Sequence, residues 1–113
     1  MQLSEHFTLA ELTQSSVALR KGIQNVPNAE QIENLKHLAG VLEEVRTVLG
    51  HPIYIQSGFR SIKLNAAVGG SPHSAHLQGD AADFVCPGFG TPIEICKAIQ
   101  GSGIPFDQII HEY

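Results

Sequence analysis

Tryptophan is absent from the 113 residues, and there are only two cysteines, Cys86 and Cys96. Two cysteines cannot build a disulfide framework, so an ordinary apolar core has to hold the fold, and a chain of this length can bury one. Cys86 and Cys96 are expected as unpaired thiols of the interior. Basic clusters are also lacking. Seven Lys and Arg face eleven Asp and Glu, for a formal charge of −4, and only Arg20 and Lys21 are adjacent among the basic residues. This balance speaks against a nucleic-acid partner or an anionic membrane surface. No apolar run approaches the roughly 20 residues of a membrane span. Met1 to His6 has neither the basic start nor the apolar stretch of a signal peptide, so cytoplasmic synthesis is expected. Repeats and low-complexity segments are absent as well, and one domain over residues 1–113 is the reading.

What is present is clear punctuation. Thr8 and Glu11 form a capping box for a short first helix, with Phe7 and Leu12 placed as a hydrophobic staple, and the pattern fades by Ser15-Ser16. Asn28 and Gln31 open a second helix. Its apolar residues Ile32, Leu35, Leu38, Ala39, Leu42, Val45 and Leu49 recur at helical spacing as far as Gly50. Pro52 to Ser57 reads as a strand, Arg60 to Val68 as a short helix and Gly79 to Cys86 as a second strand. Thr91, Pro92 and Glu94 start another helix that ends near Gly101, and Phe106 to His111 reads as a third strand. Helices come first, followed by strands interleaved with short helices. The fold class expected is α+β, with a small, mainly antiparallel sheet.

The stretch from Ser57 to Asp83 is hard to explain by folding alone. Asp83 lies inside the apolar strand Ala81-Ala82-Asp83-Phe84-Val85, where a carboxylate needs a cation or several donors. Taken by itself, Asp83 reads as a structural residue that caps a turn or pairs with an arginine. His76 precedes it by seven residues, across a loop whose Gly79, Ala81 and Ala82 allow close backbone approach. A converging imidazole and carboxylate make half of a catalytic zinc site, which usually has three protein ligands and a water.

Ser74-x-His76-x-x-Gly79-x-Ala81-x-Asp83 resembles the signature of the zinc D-Ala-D-Ala carboxypeptidase and dipeptidase family, peptidase M15, which includes phage endolysins and shares its fold with the hedgehog signalling domain. Ser57-Gly58-Phe59-Arg60-Ser61, Asn65 and Val68-Gly69-Gly70-Ser71 resemble a second motif of that family. Ser4-x-x-Phe7-Thr8-x-x-Glu11-Leu12 is similar to its short, phage-associated branch. The resemblance implies that His76 and Asp83 are zinc ligands. It implies that Arg60 holds the scissile carbonyl or a terminal carboxylate and stabilises the oxyanion. Ser74 would support the ligand loop or touch the substrate. The implied activity is metal-assisted hydrolysis of peptidoglycan stem peptides, with a carboxylate as general base. The implied partners are those peptides, met by a monomer at the cell wall after phage-mediated release or as part of a virion.

The sequence departs from the family pattern at its end. The family's third ligand is a histidine in a Trp-x-His run, and this chain, without Trp, stops at His111-Glu112-Tyr113. The expectation is a third ligand beyond Tyr113 and a domain truncated at its C-terminus. His111 and His73 stand as alternative ligands, and Glu112 as the candidate general base. His6, His37 and His51 read as surface residues. Two rival readings stay open: a non-catalytic peptidoglycan-binding module, and a virion structural domain with a degenerate metal site.

Overall fold

A computed structural model describes residues 1–103 and the backbone of residues 109–111. Its longest element, α3 (Ala29–Leu49), is bracketed by Asn28 and Gly50. The Asn28 side chain accepts from Gln31 N, the Gln31 side chain accepts from Asn28 N, and Gly50 closes the helix in the left-handed conformation. The face carrying Leu35, Leu38, Ala39, Val41, Leu42, Val45 and Leu49 is buried. It forms one wall of a core completed by Phe7, Leu12, Ile53, Ile55, Phe59, Phe84, Ile95 and Ile99. Each fully buried leucine or phenylalanine there contributes about 1.5–3 kcal/mol relative to exposure.

Two short helices precede α3. Helix α1 (Leu9–Thr13) has the expected Thr8–Glu11 capping box, and the staple residues Phe7 and Leu12 are both in the core. The chain does not fade after it. Helix α2 (Ser16–Lys21) starts where loss of pattern was expected, with Ser15 accepting from Ala18 N and Gly22 ending the helix at φ 66°. Only Ala18 of α2 is buried, so no apolar stripe announces the helix in the sequence.

Strand β1 (Tyr54–Ser57) is followed by α4 (Ile62–Ala67), a 3-10 turn over Ala75–Gln78, β2 (Ala82–Val85), α5 (Pro92–Ser102) and β3 (Ile109–His111). The strand expected over Gly79 to Cys86 is shorter because Gly79 ends the 3-10 turn at φ 78°. The sheet order is β1-β2-β3, with β1 antiparallel to β2 and β2 parallel to β3. Helix α5 joins the parallel pair, as a crossover between parallel strands requires. It packs against α3 and thus closes one side of the core. Among the described residues no helix is long and apolar enough to cross a membrane. Cys86 and Cys96 are not bonded to each other. Burial pushes the Cys86 thiol up, and its Sγ lies 3.4 Å from the Pro52 carbonyl oxygen.

The N-terminal segment is clasped to α3 by one carboxylate. Ser4 Oγ and His6 N each donate to Glu43 Oε2 at 2.6 Å, and His6 Nδ1 lies 2.6 Å from Glu43 Oε1. Burial alone would raise the Glu43 pKa, but these hydrogen bonds outweigh it and the carboxyl sits below its ordinary value. A depressed folded-state pKa means that the clasp stabilises fully above the unfolded-state value. That stability is lost as the pH falls through the lower folded-state value. Urea denaturation of the native chain and Glu43→Gln should therefore differ most at neutral pH and converge in acid. A gap that stays constant down to acid pH refutes the clasp.

Candidate active site

The loop after β1 is held from two directions. Asn25 Nδ2 donates to the carbonyls of Thr13 and Phe59, both at 2.9 Å, and Asn25 Oδ1 accepts from Ser61 N at 2.7 Å. Phe59 N donates to the Leu12 carbonyl at 2.8 Å. A Cβ on Gly58 would run into that same Leu12 carbonyl oxygen, so glycine is needed for the approach of the two backbones.

The fixed Gly58 carbonyl accepts from His76 Nδ1 at 2.6 Å. A carbonyl oxygen can only accept, so Nδ1 carries the proton, and in the neutral ring Nε2 presents its lone pair. His76 sits in the 3-10 turn that Ser74 caps, with Ser74 Oγ accepting from His76 N at 3.2 Å. The Arg60 N–H donates to the His76 carbonyl at 3.0 Å. Gly79 packs this turn against α3, where a Cβ would lie 2.8 Å from the Gln31 carbonyl oxygen. Close approach was expected between the turn and the strand; at Gly79 it is α3 that the turn meets.

His76 Nε2 faces Asp83 Oδ2 at 3.6 Å, and both residues are 3% exposed. The same oxygen accepts from Arg60 Nη2 at 3.4 Å. Arg60 Nε donates to Ser57 Oγ at 3.1 Å, and Nη1 donates to Asn65 Oδ1 at 3.3 Å. Asn65 is itself buried and anchored, with Nδ2 donating to the Ser71 carbonyl at 2.8 Å. A Cβ on Gly70 would meet Asn65 Oδ1 and approach Arg60 Nη1 to 3.1 Å, so the double-glycine turn leaves room for this brace. The structure thus unites Arg60, His76 and Asp83, as the two motifs led one to expect. The sequence reading assigned no role to Asn25, Ser57, Asn65 or the Gly58 carbonyl. Ser57 and Asn65 were visible in the motifs, whereas nothing marked Asn25.

Zinc bonds to imidazole nitrogen at about 2.0–2.1 Å and to carboxylate oxygen at about 2.0–2.2 Å, which separates two tetrahedral ligand atoms by roughly 3.3–3.5 Å. The 3.6 Å between His76 Nε2 and Asp83 Oδ2 fits this closely. A backbone carbonyl on the other ring nitrogen is the usual partner of a ligating histidine. These two residues fit a metal ion as two of its ligands. Among the described residues no third His, Cys, Asp or Glu joins them. His73 is exposed at the loop tip. In the backbone register Ile110 pairs with Asp83 and His111 with Phe84. Glu112 and anything beyond Tyr113 lie outside the described residues. Of the surface histidines, His37 and His51 are exposed and His6 belongs to the Glu43 clasp.

A hollow of ≈ 210 Å³ opens over Arg60 and Asp83, walled by Ser57, Gln56, Leu64, Val68 and the start of α2 at Ser15, Ser16 and Val17. A separate hollow of ≈ 500 Å³, lined by Gln31, Ile62, Asn65, Ala66, Gly70, Pro72, Leu77 and Gln78, contains neither Arg60, His76 nor Asp83. The smaller hollow is lined by Arg60 and Asp83, though not by His76. No curated protein and no solved structure matches the chain. The sequence profile described as peptidase M15 matches residues 5–111, which spans both motifs and every element that positions them. The chain belongs to the peptidase M15 family of metallopeptidases.

Proposed function

We propose that this peptidase is a zinc enzyme that hydrolyses peptide bonds in peptidoglycan stem peptides, as a D-Ala-D-Ala carboxypeptidase or an endolysin. The observation that carries the reading is the buried His76–Asp83 pair, ligand atoms 3.6 Å apart, with Arg60 on the same carboxylate oxygen. His76 and Asp83 would hold the ion, which when bound polarises the scissile carbonyl and acidifies a water. The Gly58 carbonyl keeps the His76 ring from turning and holds the proton of the neutral ring on Nδ1, so that the Nε2 lone pair would be free for ligation. Arg60, braced by Ser57 and Asn65, presents a fixed guanidinium fork to a carbonyl oxygen as negative charge develops on it. Ser74 supports the ligand turn through His76 N, and contact with the substrate is proposed as its second role. Glu112 remains the proposed general base. Synthesis in the cytoplasm and action at the cell wall after phage-mediated release belong to the same proposal.

A second reading, a peptidoglycan-binding module without turnover, is favoured by one observation: the described residues supply two metal ligands where catalytic zinc sites use three. Incubation of purified peptidoglycan with the zinc-supplemented chain separates the two. The peptidase reading expects new amino termini, abolished by a chelator. Sedimentation with the wall but no new termini leaves the binding module standing instead. Arg60→Lys keeps the charge but not the fork. It should retain zinc while losing about 10²-fold in hydrolysis, the usual cost of removing an oxyanion donor. Unchanged hydrolysis in that variant removes Arg60 from the mechanism.

A further inference from the structure

The ladder between β1 and β2 slips by one residue beside the site. Ile55 pairs with Phe84 and Ser57 pairs with Asp83, so Gln56 is an extra residue with no counterpart on β2. Bulges of this kind re-aim side chains and are frequent next to active sites. Here the slip brings Ser57 opposite Asp83, where its hydroxyl accepts from Arg60 Nε. Gln56 itself is exposed, as the alternation along β1 dictates, and its side chain makes no hydrogen bond among the described residues.

Gln56 is a wall of two hollows. One is the ≈ 210 Å³ space over Arg60 and Asp83. The other, ≈ 540 Å³, is lined by Gln14, Ser15, Ser16, Leu19 and Gln56. Ser15 and Ser16 are also common to both, so the two spaces adjoin at the N-terminal end of α2. Away from Arg60 and Asp83 this path offers the Gln56 carboxamide and the Ser15 and Ser16 hydroxyls beside the apolar side chains of Leu19, Val17, Leu64 and Val68, and the larger space has no ionisable wall residue. The Gln14 amide is already engaged, with Nε2 donating to the Ile55 carbonyl at 3.1 Å, which leaves Gln56 as the unengaged carboxamide of the path. A carboxamide both donates and accepts, which matches the N–H and C=O of a peptide link and no single charged group. The separate hollow near Ile62 and Pro72 carries carboxamides too, from Gln31, Asn65 and Gln78, but neither Arg60 nor Asp83 lines it.

We infer that the groove running from Arg60 past Gln56 to Ser16 and Gln14 receives the uncharged stretch of substrate chain that flanks the bond to be cut. Gln56 sets the register of that chain by pairing with one of its backbone amides. The identity of the occupant as a peptide rests on the peptidase reading; the groove itself rests on the bulge and the shared walls. Gln56 is a positioning and specificity residue, since it touches substrate away from the reacting atoms.

The experiment is a nuclear magnetic resonance titration of the intact zinc-supplemented chain with two probes, a stem pentapeptide ending in D-Ala-D-Ala and the D-Ala-D-Ala dipeptide. The pentapeptide should shift the side-chain amide signals of Gln14 and Gln56. Gln56→Ala should weaken pentapeptide binding about tenfold, the scale of one or two lost hydrogen bonds, and leave the dipeptide within about twofold. Gln56→Glu, which keeps the length but loses the N–H donor, should fall between, and its backbone spectrum checks that the bulge is intact. Equal loss for both probes, no loss for either, shifts confined to the Ile62 hollow, or no pentapeptide binding overturns the inference. Hydrolysis is followed in the same tubes. Binding at Gln56 without cleavage sinks the peptidase reading and keeps the groove, whereas cleavage unaffected by Gln56→Ala does the reverse.

Discussion

Asp83→Asn is expected to leave a folded chain that no longer retains zinc and no longer cleaves peptide. The asparagine keeps the shape of the carboxylate and an oxygen for Arg60 Nη2, which lies 3.4 Å from Asp83 Oδ2. It removes the charge that would make the oxygen a metal ligand. The side chain is 4% exposed, so solvent cannot substitute for the lost ligand without rearrangement. Metal-assisted polarisation is worth several kcal/mol in the transition state, and at about 1.4 kcal/mol per decade its loss should lower the rate by three orders of magnitude or more. Elemental analysis after dialysis, together with amino-terminus release from peptidoglycan, reads both consequences. Asp83→Ala is the harsher comparison. It leaves the Arg60 guanidinium, 17% exposed, without its acidic partner, and breaking a buried pair in this way costs roughly 3–5 kcal/mol. If Asp83→Asn holds zinc as tightly as the native chain, Asp83 is a structural partner of Arg60 and the ligand assignment is wrong.

Gly58→Ala should produce the largest loss of stability of any single methyl addition in the loop. The new Cβ would meet the Leu12 carbonyl oxygen and lie 3.0 Å from its carbon. Both atoms are backbone and cannot swing aside. Inserting a methylene where neighbours cannot yield costs about 1–3 kcal/mol, and pushing the loop off α1 also endangers the Phe59 N–Leu12 carbonyl bond, worth about 1 kcal/mol. With a urea slope of about 1–3 kcal/mol per molar, the midpoint should fall by roughly 1–2 M. The damage is also functional, because the Gly58 carbonyl fixes the His76 ring. Gly40→Ala is the control. It lies inside α3 with nothing within 4 Å of the added Cβ, and it should raise stability by about 0.5–1 kcal/mol. A Gly58→Ala chain as stable as the native one would show that the loop and α1 do not depend on this contact.

Much of this architecture is written locally. The boxes Thr8–Glu11, Asn28–Gln31 and Thr91–Glu94 each form where they stand in the sequence, since a cap needs only residues three apart. The buried face of α3 follows its apolar period, with Val41 added and Ile32 left half-buried. Helix α2 escaped notice because one buried alanine gives no period. The direction of β3 was equally hidden, since nothing in a strand's own residues says which neighbour it will join or in which sense.

By itself the sequence determined the caps, the core face of α3, the two motifs and the residues Arg60, His76 and Asp83, because spacing and residue chemistry are local properties. Only the tertiary structure decided what those residues do to one another. It put the His76 ring on the Gly58 carbonyl, a partner 18 positions away. It anchored the loop through Asn25, and it slipped β1 by one residue so that Ser57 stands opposite Asp83. Register and long-range hydrogen bonds depend on how separate elements meet when the core closes, and no local pattern encodes that meeting.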